Sequence, residues 1–324
     1  MRRRDFVTFL SGAVAWVAAA RAQESRVIGV LSSGYYGPYH AENRNSFVQG
    51  LKAIGFIEGN NISIEWRWAE GQYNRLSSLA GELVRRNVAV IATFDVPSSL
   101  AAASATKTIP IVFFSGADPV RLGLVDNFNH PRGNLTGVTS LLSSLGVKQL
   151  ELLHELLPDV SQIAFLVNPV NLNSLIDVSE IQAAAKALGQ HVEAVTASTE
   201  NELDTAFTTM VRQRVSALMV KPDPFFIDRC EQIVALAARL ALPAIYSLPL
   251  FVRVGGLMSY GGTLQNSYAQ EGIYVGKILK GAKPADLPIQ QNTKFELAIN
   301  VKTAKTLGLT VPPSLLVRAE EVIE

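Results

Sequence analysis

The sequence predicts an α/β protein of two Rossmann-like lobes, each a parallel sheet covered by helices on both faces. Three observations carry this. Strand and helix patterns alternate along the chain with short connections. The strand patterns are short, continuous apolar runs rich in β-branched residues, as in sheets buried on both faces. The 324 residues suit two domains of about 150 residues each.

The first unit opens with the apolar run Val27–Leu31, followed by a helix over Ala41–Ile54 that Gly55 closes. Ile62–Trp68 alternates apolar and polar residues and reads as a strand; Trp66 and Trp68 share one face of it and are expected in the core or on the sheet surface. Asn74–Arg86 is amphipathic, Val88–Phe94 is a buried strand, and Pro97 opens the next helix. Ile109–Phe114 and Leu135–Thr139 complete the unit. The second repeats the rhythm: helix Ser143–Leu157, strand Ile163–Val167, helix Ser174–Leu188, strand Val192–Val195, helix Glu200–Arg212, strand Ala217–Val220, helix Ile227–Leu240 and strand Ala244–Tyr246. Leu257–Tyr260, the helix Asn266–Leu279 and the strand Phe295–Ile299 follow. The main crossover between lobes is placed near Thr139–Ser143.

The amino-terminal segment has a different logic. Arg2-Arg3-Arg4 precedes an apolar run from Phe6 to Ala20, and Ala20-Arg21-Ala22 is a small-x-small site. This is the order of a secretory signal, residues 1–22, cleaved near Ala22-Gln23. The apolar run of about 15 residues is shorter than the roughly 20 that span a bilayer. Arg3-Arg4-Asp5-Phe6 resembles a twin-arginine motif. The protein is therefore expected in the periplasm. Without residues 1–22 the chain carries 25 basic and 27 acidic residues. That balance, with no basic cluster in the remainder, argues against nucleic acid as a partner. Cys230 is the only cysteine, so an intramolecular disulfide is impossible; its helical pattern makes it a small core residue.

In open parallel sheets, ligands bind beyond the carboxyl ends of the strands. This selects a ligand site of Ser33, Tyr36, Phe94, Ser98 and Ser115 in the first lobe and Asn168, Asp223 and Tyr246 in the second. If the ligand is an amino acid, the helix start at Ser98 would take its carboxylate and Asp223 its ammonium. Each has an alternative: Ser98 caps its own helix, and Asp223 caps a turn or helix. Asp118, before Pro119, is read as structural. Tyr35, Tyr36 and Tyr39 crowd the loop after the first strand, where rings would give flat apolar walls with polar tips. No cofactor, metal or catalytic residue is expected. The four histidines lack metal-ligand spacing, and there is no phosphate loop, no G-x-G-x-x-G and no G-x-S-x-G elbow.

Several strings carry a resemblance. They are Gly50-Leu51-Lys52-Ala53-Ile54-Gly55-Phe56, Trp66-Arg67-Trp68-Ala69-Glu70-Gly71, Gly116-Ala117-Asp118-Pro119 and Gly255-Gly256-Leu257-Met258-Ser259-Tyr260-Gly261. In the tail, Lys277-Ile278-Leu279-Lys280-Gly281 and Lys294-Phe295-Glu296-Leu297 match as well. On these the chain resembles the ABC-transporter substrate-binding proteins of the tryptophan and aromatic-amino-acid type. One departure is Thr93-Phe94-Asp95-Val96-Pro97, where such proteins often carry a Thr-Ser-Gly-Thr-Pro-like loop. The resemblance implies a type I periplasmic-binding fold with a three-strand hinge and discontinuous lobes: residues 23–140 plus about 264–290, and 141–263 plus about 291–324. It also implies a monomer that captures a small molecule, an amino acid or carboxylate, for an inner-membrane permease and catalyses nothing. An exported Rossmann-type enzyme, or a ligand sensor docking on a membrane receptor, are the competing readings.

Changing Arg3 and Arg4 together to Lys should leave unprocessed precursor in the cytoplasm, as fractionation and immunoblotting would show. Normal delivery of mature protein would eliminate the twin-arginine route and leave the general secretory one.

Overall fold

The computed structural model describes residues 26–131, 133–171 and 174–324. The expected signal segment and its cleavage site lie outside the described residues, as does the side chain of Tyr39.

The chain runs β1 (Arg26–Ser32), α1 (Pro38–Ala53), β2 (Ile62–Trp68), α2 (Leu76–Arg85), β3 (Val90–Thr93), α3 (Val96–Ala105), β4 (Ile111–Ser115), β5 (Leu135–Thr139) and α4 (Gly146–Leu156). It continues through β6 (Gln162–Val167), α5 (Ser174–Ala187), β7 (His191–Thr196), α6 (Glu200–Arg212), β8 (Ala217–Val220), α7 (Pro224–Asp228), α8 (Cys230–Arg239) and β9 (Ala244–Tyr246). It ends with α9 (Pro249–Arg253), β10 (Met258–Gly261), α10 (Gln265–Leu279), β11 (Gln290–Gln291), β12 (Glu296–Asn300), α11 (Val301–Thr306), α12 (Pro313–Arg318) and β13 (Glu321–Ile323).

The strands form two sheets, ordered β11-β5-β4-β3-β1-β2 and β13-β12-β10-β9-β8-β6-β7. The same winding therefore occurs twice: β2-β1-β3-β4-β5 in lobe 1 matches β7-β6-β8-β9-β10 in lobe 2. Lobe 1's sheet is parallel throughout. This is the two-lobed α/β architecture that the alternating pattern predicts. Helices cover both faces, so each sheet separates two apolar clusters, one pair per lobe.

Lobe 2 departs from the parallel expectation at one edge. β12 runs antiparallel to β10, pairing Met258 with Ile299 and Gly261 with Glu296. The cause is the chain path. β10 ends at the cleft, and β12 starts there after the chain returns from lobe 1, so it must run the other way. The helix expected over Ile227–Leu240 also differs. Asp223 and Pro224 start it earlier, and it breaks at Arg229 (φ −112°, ψ 22°) into α7 and α8. The short α9, α11, α12 and β13 carry too few apolar residues for a periodic signal.

The chain crosses the cleft three times: between β5 and α4, β10 and α10, and β11 and β12. The second crossing delivers α10 to lobe 1, where it packs on α1. Gly50 and Gly272 make this possible. A Cβ on Gly50 would overlap the Ala269 carbonyl oxygen, and one on Gly272 would overlap that of Phe47. Each helix thus receives the other's backbone, closer than any side chain permits.

α10 also brings Glu271 into lobe 1. Its side chain is fully buried and neither carboxyl oxygen has a hydrogen-bond partner. Burial raises its pKa well above the ordinary glutamate value, and Asp95 pushes it the same way.

Two outcomes follow from this packing. Gly50→Ala should force α1 from α10 and destabilise the protein by about 1–3 kcal/mol; an unchanged unfolding transition would refute the backbone contact. A raised folded-state pKa means that Glu271's contribution to stability is complete below the ordinary glutamate value and is lost as pH rises through the raised one. Glu271→Gln should therefore gain on the wild type as pH increases across that window, by up to about 1.4 kcal/mol per pH unit. Parallel pH–stability curves would show that the carboxyl does not titrate there.

Candidate ligand-binding site

Both sheets turn their carboxyl ends toward the same cleft. In each, the winding direction reverses between the first and third strands, β1/β3 in lobe 1 and β6/β8 in lobe 2. Crevices in open α/β sheets form at such reversals, and an aspartate stands beside each.

Asp95 follows β3 and caps α3. Its Oδ1 accepts from the Ser98 N–H at 2.8 Å, and Ser98 Oγ receives the Asp95 N–H at 3.2 Å, closing a reciprocal capping box. Its Oδ2 accepts from the Ser33 N–H at 2.8 Å and from Ser32 Oγ at 3.1 Å. One carboxylate thus fixes the ends of β1 and β3 to the start of α3.

Asp223 follows β8 and caps α7. It is 1% exposed. Asn168 Nδ2 (2.9 Å), Tyr73 OH (3.1 Å) and the Phe225 N–H (3.0 Å) donate to Oδ1, and Asn171 Nδ2 (2.7 Å) to Oδ2. Tyr73 belongs to lobe 1, so this bond crosses the cleft. Desolvation raises the Asp223 pKa above the ordinary aspartate value, while the donors pull it back. Burial, followed by the Asp223 and Asp95 charges, raises the Tyr73 phenol well above its ordinary value.

Between these loops lies a small cavity of about 70 Å³, lined by both lobes. Phe94, Phe114 and Tyr268 form its wall on lobe 1, and Leu142, Pro222 and Ile227 close it from the crossover and lobe 2. The Phe94 and Tyr268 ring centroids are 4.6 Å apart, and Phe114 lies 4.9 Å from Tyr268. Tyr268 OH donates to the Phe94 carbonyl at 2.9 Å. Asn43, Asn171, His40, Asp95 and Asp223 supply the cavity's polar end. A larger depression at the opposite end of lobe 1 surrounds Arg26, Pro110 and Lys280–Pro284. It is open to one side and draws on one lobe only, so the cleft cavity is the stronger candidate.

More bonds cross the cleft at its mouth. His40 Nε2 lies 2.8 Å from Asp228 Oδ1, and the Tyr35 N–H donates to Asp228 Oδ2 at 3.2 Å. Arg229 donates to Tyr35 OH at 2.9 Å and pairs with Glu200 at 2.6 Å. On another side Arg121 bridges to Glu180 at 2.9 Å. The break between α7 and α8 sets Asp228 and Arg229 at the rim from which they reach lobe 1.

The structure sorts the eight expected residues. Phe94 and Asp223 line the cavity. Asn168 stands behind Asp223 as a donor. Ser33 is buried beside Asp95 and contributes its N–H. The Ser98 N–H is taken by Asp95, the helix-capping alternative to its expected role as a carboxylate seat. The Ser115 hydroxyl shapes a turn, donating to the Ala117 carbonyl at 2.7 Å. Tyr36 is 67% exposed and lies edge-on to Trp68 beneath the Arg44 guanidinium, at the mouth rather than in the wall. Tyr246 stacks on Phe251 at 4.6 Å inside the lobe 2 core, which removes it from the site. Asp118 accepts from the Val120 and Arg121 N–H groups in a turn, as read.

Sequence reasoning missed Tyr73, Asn43, His40, Leu142 and Tyr268. Tyr268 had a usable signal, since the resemblance returns α10 to lobe 1. The others sit one or more turns past a strand end and carry no local mark. Among the described residues no group of three or more His, Cys, Asp or Glu could hold a metal, and no helix is long and apolar enough to cross a membrane.

Comparison with known proteins gives this geometry a family. Residues 35–323 match the family model described as ABC transporter substrate binding protein. A tyrosine-binding protein of Clostridioides difficile (strain R20291) is 29% identical over 266 residues, which is 82% of this chain and 76% of that one. The structure of an ABC domain in complex with L-Trp from Streptococcus pneumonia aligns with TM-score 0.84 and 29% identity, covering 93% of this chain and all (100%) of that one. The ligand-free, open structure of a substrate-binding protein with adhesive properties from Clostridium difficile aligns less well, with TM-score 0.64 and 25% identity over 92% and 99% of the two chains. Two sheets wound alike, a cavity lined by both lobes and a family match over nearly the whole described chain agree: the protein belongs to the ABC transporter substrate-binding protein family and is a binding protein rather than an enzyme.

Proposed function

We propose that this chain is the periplasmic capture component of an ABC importer. It holds a small organic ligand with an aromatic or apolar body and an amine between its lobes, and presents the closed form to an inner-membrane permease. The observation that carries this is the shared cavity. Its wall comes from both lobes, and Asp223 of lobe 2 is hydrogen-bonded to Tyr73 of lobe 1. Filling the cavity and closing the cleft are then coupled, because the ligand's full set of contacts exists only in the closed form.

The closed arrangement has further support. The mouth contacts of His40, Tyr35, Asp228 and Arg229 need the lobes together. The higher structural score against a ligand-bound relative than against an open one points the same way. The polar end of the cavity suits an ammonium, which Asp223 can receive on Oδ2, where Asn171 is the one donor described above. The rings of Phe94, Phe114 and Tyr268 provide an apolar surface for the rest of the ligand. The relatives that bind tryptophan and tyrosine make an aromatic ligand the first class to try.

Two measurements test this. Small-angle scattering should show the protein becoming more compact when a bound ligand saturates it, through hinge closure; an unchanged profile would count against trapping. Asp223→Asn keeps the side-chain shape and removes the charge. It should weaken binding of an amine ligand by roughly 30-fold or more, since an unpaired buried charge costs about 2–5 kcal/mol. Because desolvation raises the Asp223 pKa, wild-type affinity should start to fall on acidification at a pH above the ordinary aspartate range. Calorimetry with near-normal affinity for the variant would reduce Asp223 to a helix cap.

A further inference from the structure

We infer that the cleft cavity selects organic amines that lack a carboxylate, and discriminates against the corresponding zwitterionic amino acids. The inference rests on the proposed capture of ligand in this cavity and adds the charge that the ligand must carry.

The first observation is the balance of charge. Asp95 and Asp223 both line the cavity, and among the described residues no Lys or Arg lines it. The nearby cations are committed elsewhere. Lys221, 1% exposed beside Asp223, forms a buried ion pair with Asp177. Arg229 is held by Glu200 and Tyr35, Arg121 by Glu180, and Arg44 by the Tyr36 ring and the Gly37 carbonyl. His40, the lining histidine, is bonded to Asp228. The Tyr73 phenol, raised first by burial, also lies in the field of the Asp223 and Asp95 charges.

The second observation concerns the backbone. A ligand carboxylate without a cationic side chain needs free N–H groups at a helix start. Of the helices that begin at the cavity, α3 and α7 both carry an aspartate cap and a proline at their starts. In α3, Asp95 occupies the Ser98 N–H and Pro97 has none. In α7, Asp223 occupies the Phe225 N–H and Pro224 has none. Each start also carries its own negative charge where an anion would sit. A carboxylate in this cavity would lie among apolar rings and two acids, with its hydration removed and little in return. An ammonium meets the opposite situation.

The test is a calorimetric titration of the mature wild-type protein with matched ligands: tryptamine against L-tryptophan, tyramine against L-tyrosine, and indole as the uncharged control. In at least one pair the amine should bind roughly 30-fold or more tighter than the amino acid, and tighter than indole. An amino acid that binds as tightly as its amine would overturn the inference and leave ligand capture standing. Indole binding as tightly as the amines would overturn the need for a cation. If none of the five binds, the aromatic-ligand reading falls together with the inference. A second arm uses Asp95→Ser combined with Pro97→Ala, which removes one charge and adds one N–H at the start of α3. This variant should narrow the amine-to-amino-acid ratio at least tenfold. An unchanged ratio would show that the closed helix start does not discriminate.

Discussion

The fold depends on two helices that touch through their backbones. Lobe 1 is not complete when the chain first leaves it after β5. It lacks the cover that α10 gives to β3, β4 and β5, and it lacks β11 at its edge. The chain supplies both only after building most of lobe 2. α10 can then dock because Gly50 and Gly272 leave the opposing carbonyls room. This contact ties the lobes topologically: α10 enters from β10 and β11 leaves to β12, so two of the three crossings are anchored by it. The same docking places Tyr268 in the wall of the interlobe cavity and buries Glu271 in lobe 1.

The cavity floor follows from capping chemistry. Each sheet reverses its winding beside a strand that ends in an aspartate, and each aspartate starts a helix together with a proline. Capping an α-helix satisfies backbone groups that would otherwise be unpaired, worth about 1 kcal/mol per cap. At these two places the caps also set the electrostatics of the ligand site. The helix starts, which would attract anions in isolation, are neutralised by their own caps, and the cavity is left acidic.

The mouth contacts describe how closure is held. Asp228 and Arg229 stand at the break between α7 and α8, and each meets the loop after β1. A Cβ on Gly34 would press on His40 and Asp228, so the loop approaches lobe 2 as closely as its backbone allows. These are polar contacts at a partly exposed rim. They add directionality to closure, while the apolar surface buried around a ligand supplies most of its driving force.

Much of this was legible in the chain, and the boundary is physical. Period and propensity are local, so the βα rhythm, the strand ends at Ser33, Phe94, Asn168 and Asp223, and the helix start at Pro97 could be read directly. The strand-end rule then named two residues of the cavity wall, Phe94 and Asp223, and two that stand behind it, Ser33 and Asn168. It failed at Tyr246, because a strand end can turn its side chain into the core as readily as into the cleft, and pleat direction is fixed only by the neighbouring strand and helix. It also missed Tyr73 and Tyr268, which reach the site from a short 3-10 turn and from a helix delivered late in the chain. What the sequence by itself determined is the alternating βα framework of the two lobes and the placing of an Asp beside a Pro after β3 and β8. Whether those caps leave any N–H free for a ligand, which side chains close the cavity, and the antiparallel course of β12 were decided by tertiary structure, since each depends on contacts between segments far apart in the chain.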